Sequence, residues 1–126
     1  MPAAAAAATA AIRLVQSGEG ETRRALLWQR VDQAKNAVIN AGRALPAVQS
    51  AILPMMIGDE SEAVKLASVL RERGVFIPAI RYPTVARGEA RLRITVTASH
   101  TKDDIAALQS TLVALPSASP ILNPGT

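Results

Sequence analysis

Leu92, Ile94 and Val96 alternate without a break with Arg91, Arg93, Thr95 and Thr97. Successive side chains of a strand point to opposite faces, so this period of two predicts a half-buried strand over about 90–98. Elsewhere the period is mostly helical. Residues 2–17, PAAAAAATAAIRLVQS, predict a helix, because alanine is the best helix former and Pro2 suits a first turn. SGEGE, at 17–21, is expected to break it. Leu27, Val31, Ala34, Val38 and Ala41 then recur along one face of a second helix over roughly 22–43, with Arg23, Arg30 and Lys35 on its other faces and Pro46 beyond its end.

The apolar run AILPMMIG, at 51–58, predicts a strand, and Pro54 assigns it to an edge or a bulge. DESEAVKLASVLRERG follows as a helix: Asp59 is a good N-cap with Glu62 three residues on, and Ala63, Leu66, Ala67 and Leu70 form its apolar stripe. Gly74 stops it. A short strand is expected over 75–80, then a loop rich in turn residues over 81–90. After the arginine strand, Thr101 caps a last helix in which Ile105, Leu108, Leu112 and Leu115 share a face. The order predicts an α+β domain: a small, mostly antiparallel three-stranded sheet with helices on one face. The expected organisation is an alanine-rich connecting helix at 1–17, the α+β domain at 18–115 and a disordered tail at 116–126.

The 126 residues suffice for one domain with a modest core, built from Leu, Ile, Val and Ala because aromatics make up only 2%. Cysteine is absent and His100 is the single histidine, which excludes disulfides and thiolate or histidine-cluster metal sites. No apolar run reaches the length of a membrane span, and the N-terminus lacks the features of a signal peptide, so a cytoplasmic protein is expected. The charge of +4 and pI near 10.3 come from arginines spread along the chain, with few aromatics to stack on bases, so nucleic acid is not an expected partner. The six consecutive alanines at 3–8 bury little area; composition alone fits a smooth docking helix and a frayed tail equally well.

Arg91 and Arg93 pose the chemical question. Exposed on an open sheet face, they are ordinary solvated charges in one reading. In the other they recognise an anion, since a guanidinium matches a carboxylate through two parallel hydrogen bonds and stays charged at any working pH. Arg81 and Thr84, held near Pro83, could join them at one mouth of the sheet. Lys35, Lys65 and Lys102 lie in polar helical settings, and His100 stands at a helix start. No triad, glycine-rich phosphate loop or activated nucleophile is visible, so the chain looks like a domain without its own catalytic centre.

The segment LRERGVFIPAIRYPTVARGEARLRITVTASHTKDDIAAL, residues 70–108, resembles the C-terminal part of the α-oxoamine synthases, pyridoxal-phosphate enzymes of the aspartate aminotransferase fold type. The likeness extends more weakly through ILPMMIGDESEAVKLASVL and AAIRLVQSGEGETRRALL. Within the family, IRYPTV followed by ARLRITVTASHT is most similar to the 8-amino-7-oxononanoate synthase branch of biotin biosynthesis, departing from its commonest pattern at Tyr82 and Ala86, where prolines are frequent. The resemblance implies a decarboxylating condensation of L-alanine with a pimeloyl thioester, with pyridoxal 5'-phosphate as electron sink. It implies that Arg93 binds the amino-acid carboxylate, that Thr84 touches substrate and that Arg81 lies near the acyl-substrate entrance. The cofactor-binding residues would lie in an N-terminal domain outside this chain, the alanine helix would rest on that domain, and the chain alone would bind no cofactor and lack synthase activity. Self-association into a homo-oligomer is expected of a domain parted from such a partner. The alternative from another class is a free-standing carboxylate-binding or oligomerisation module without catalysis.

Overall fold

A computed structural model describes residues 1–116. The expected tail therefore lies outside the described residues from 117 onward. Helix α1 (Pro2–Gln16) has no buried residue. Ser17, in extended backbone, ends it and starts the next: its N–H donates to the Leu14 carbonyl at 3.1 Å, and its Oγ accepts from the Gly20 N–H at 3.3 Å. Helix α2 (Gly18–Asn40) thus begins four residues earlier than the second helix the sequence predicts. The expected break over 17–21 shrinks to Ser17, because Gly20 serves a different purpose. A Cβ there would lie 2.4 Å from the carbonyl oxygens of Leu14 and Val15, so the missing side chain lets the two helices cross closely.

Strand β1 (Ile52–Gly58) leads into α3 (Glu60–Glu72), whose N-cap Asp59 accepts from the Glu62 N–H at 2.9 Å. Gly74, at φ +84, turns the chain out of α3. Strand β2 is only Ala79–Ile80, shorter than the predicted 75–80. The Val75 N–H is spent on the Leu70 carbonyl to close α3, and Pro78 has no N–H to add to the ladder. Strand β3 (Ala90–Thr95) stops before the predicted 98, as Thr97 and His100 close a turn. Helix α4 (Lys102–Val113) opens with a reciprocal box in which Asp104 N–H donates to Thr101 Oγ1 and Thr101 N–H to the Asp104 carboxylate.

The three strands are antiparallel in the order β1-β3-β2, and Pro54 indeed lies on an edge strand. The outer side of β1 is partly closed by an isolated bridge, Met56 N–H to Ala44 carbonyl at 3.0 Å. On the inner face, Leu53, Met55, Leu92 and Ile94 form one core with Val31, Ala34 and Val38 of α2, Ala63, Leu66 and Leu70 of α3, and Ile105, Leu108 and Leu112 of α4. One placement differs from the sequence pattern. Arg30 is not on an open face of α2 but buried, with Nε donating to the His100 carbonyl at 2.9 Å and Nη1 to Gln33 Oε1 at 3.0 Å. A cationic side chain can be buried there because its donors find partners.

Candidate functional site: the arginine face of the sheet

Cross-strand partners point to the same side of a sheet, so the register fixes what surrounds each arginine. On the outer face Ile52 opposes Thr95, Pro54 opposes Arg93 and Met56 opposes Arg91. From the other flank Ile80 opposes Arg91, and the Arg93 N–H donates to the Pro78 carbonyl at 3.0 Å. Arg93 therefore stands on the central strand between two prolines. It is exposed, and among the described residues its guanidinium has neither a hydrogen bond nor an ion pair. Arg91 is different. It is partly buried, its Nε donates to the Glu89 carbonyl at 3.1 Å, and its Nη2 lies 3.8 Å from Glu89 Oε2.

Arg81 and Thr84 share one turn. The Arg81 carbonyl accepts from Thr84 N–H at 3.0 Å and from Val85 N–H at 3.4 Å, around a cis Tyr82–Pro83 bond. Both side chains are exposed. The turn leaves β2 beside the Ile80–Arg91 pair. Arg93 lies two residues further along β3, about 7 Å at the rise of a strand. The structure thus groups Arg81 with Thr84 at one end of the arginine face. No hydrogen bond among the described residues links either side chain to Arg93. Arg87, which the sequence did not single out, stacks over the Tyr82 ring at 4.5 Å and covers the same loop. Glu89 was missed as well. Its spacing could have revealed it, since 89, 91 and 93 share one side of an alternating segment.

The three lysines lie on helices, away from the arginine face. Lys35 on α2 donates to the Val48 carbonyl, while Lys65 on α3 and Lys102 on α4 are exposed on helices rather than on the outer sheet face. His100 is occupied in the turn after β3, where its Nδ1 accepts from the Thr97 N–H at 2.9 Å. Two carboxyls are held below their usual range. Asp59 is lowered by the Ser61 hydroxyl and then the Glu62 N–H, and Asp104 by the Thr101 N–H and then its hydroxyl. Both shifts belong to helix caps. Among the described residues, no three of His, Cys, Asp and Glu gather as a metal site, and no helix is long and apolar enough to cross a membrane.

Comparison with known proteins bears on the family of the chain. The family model for aminotransferase class I and II matches residues 1–112. The 8-amino-7-oxononanoate synthase of Klebsiella pneumoniae is 42% identical over 111 residues, covering 88% of this chain and 29% of that protein. A Desulfovibrio desulfuricans protein that bears the same name provisionally is 49% identical over 104 residues, covering 82% of this chain and 26% of its own length. The chain therefore spans little more than a quarter of these relatives. A serine palmitoyltransferase from S. paucimobilis, solved with a bound pyridoxal phosphate–myriocin aldimine, superimposes with a TM-score of 0.78 at 25% identity, covering 85% of this chain and 27% of that one. The open antiparallel sheet with its helices is thus shared with enzymes that use pyridoxal phosphate, and the chain belongs to the aminotransferase class I and II family, among its α-oxoamine synthases.

Proposed function

We propose that this chain supplies the substrate-binding small domain of an acyltransferase of the 8-amino-7-oxononanoate synthase type, in which L-alanine and a pimeloyl thioester condense with loss of carbon dioxide. The observation that carries the reading is the contrast between the two arginines: Arg91 is committed to Glu89, whereas Arg93 is uncommitted on a rigid central strand. A guanidinium carried on a fixed strand between two prolines is suited to hold a carboxylate through paired hydrogen bonds. Arg93 binds and orients the carboxylate of the amino acid. The Thr84 hydroxyl and the Arg81 cation, at the end of the same face, contact substrate, with Arg81 toward the acyl-thioester side. Pyridoxal phosphate is seated in the larger N-terminal remainder of the enzyme and supplies the electron sink. This chain contributes binding and orientation, and alone it has no synthase activity.

The test replaces the matching segment of the Klebsiella synthase with this chain. The chimera is expected to be active. Arg93→Ala should raise the KM for L-alanine by at least tenfold, as loss of a charge-assisted contact requires. Arg91→Ala should change it less than threefold. Equal effects of the two substitutions would refute the assignment. The unjoined chain, given L-alanine, pimeloyl-CoA and pyridoxal phosphate, should release no thiol.

A second reading has one observation in its favour. Helix α1 buries nothing and exposes Ile12 and Val15, which fits a module that assembles with copies of itself. Light scattering separates the two: a monomer at high concentration removes the assembly reading and leaves α1 to the larger domain.

A further inference from the structure

Arg91 and Arg93 project from the same strand to the same side, about 7 Å apart. That spacing lies within reach of the two ends of a short dicarboxylate. The side chain of Glu89 intervenes: its carboxylate approaches Arg91 Nη2 at 3.8 Å, while its carbonyl holds Arg91 Nε at 3.1 Å. The groups around Arg93 are of another kind. Pro54 and Pro78 flank it directly, whereas Met56 and Ile80 oppose Arg91. Arg93 thus offers a free positive charge, whereas that of Arg91, two residues along, is paired with Glu89.

We infer that Glu89 is a specificity-determining residue that silences Arg91, so that the arginine face binds a carboxylate through Arg93 alone and gains little from a second carboxylate on the same ligand. The inference rests on the reading of Arg93 as the carboxylate site. A ligand with one carboxylate on Arg93 can lay its apolar part on the prolines. A second carboxylate would meet the Glu89 charge beside Arg91, and like charges at such range repel. Removing the Glu89 charge leaves Arg91 on its backbone contact with its outer nitrogens open to an anion.

The full chain can be tested directly by following the Nε–H resonances of its arginines during titration with propionate and with succinate at constant ionic strength. In the unaltered chain both ligands should move Arg93, with little preference for succinate. Glu89→Gln should raise the succinate-to-propionate affinity ratio about two- to fivefold, the size of one exposed ion pair, and should bring Arg91 into the response. Adding Arg91→Gln should abolish the gain. Glu72→Gln, which makes the same change in net charge on α3, should leave the ratio unaltered. An unchanged ratio in Glu89→Gln, or an equal rise in Glu72→Gln, overturns the role of Glu89 while leaving Arg93 as a carboxylate site. If neither ligand moves Arg93 and Arg93→Gln behaves like the unaltered chain, the carboxylate site itself is refuted, and the proposed function loses its support with it.

Discussion

On one face of β1 and β3, Leu53, Met55, Leu92 and Ile94 are shut away from solvent; on the other, Ile52, Arg93 and Thr95 stand open and Pro54 is half-buried. The same six paired positions build both. The inner face is made of side chains that fill space against three helices, so its residues answer for stability. Among the described residues the outer face adds nothing to that core, and Pro54 lies beside a charge instead. The difference teaches that apolar residues on a small sheet fill volume on one side and, on the other, flank an exposed charge.

The comparison can be broken at either face. Leu92→Ala should have the largest effect, costing about 2–5 kcal/mol in denaturant unfolding, because a fully buried leucine leaves a cavity. A cost below about 1 kcal/mol would mean that the inner face is loosely packed. Thr101→Ala, which removes the hydroxyl half of the box that starts α4, should cost about 1 kcal/mol. It should also reduce acid sensitivity. The Asp104 carboxyl is lowered when folded, so its contribution is present above the ordinary value of 3.8 and is lost as pH falls through the lowered one. The variant keeps the Thr101 N–H contact and should lose only part of that dependence. Arg93→Ala should have the smallest effect on stability, within about 0.5 kcal/mol, since it removes no buried contact. A larger loss would make Arg93 a structural residue and erase the distinction between the faces.

Much of this fold is legible in the sequence because local rules and packing agree. The alternation from Leu92 to Val96 predicts an inner and an outer side, and the burial follows it residue by residue. Asp59, Gly74 and Thr101 mark helix ends through chemistry that is local in the chain. What stays hidden depends on distant partners. Nothing near Arg30 announces that the carbonyl of His100, seventy residues on, will accept its Nε. Gly20 looks like a breaker until Leu14 and Val15 are seen against it. The β2 ladder shortens because Val75 and Pro78 cannot donate to it, which an apolar run does not reveal. The site divides in the same way. The exposure of Arg93 follows from its period, and its suggested task follows from family likeness. Its difference from Arg91 needs the position of Glu89, which the alternating pattern contained and the search for apolar partners passed over.

Gly20 has one more consequence. The angle between α1 and α2 is set by a single hydrogen atom where any other residue carries a carbon, 2.4 Å from two backbone oxygens that cannot swing aside as a side chain can. No residue of α1 is itself buried, so a side chain at position 20 would act first on the contact between the two helices. Inherited change at this position would therefore be felt as a new direction for the chain's first helix.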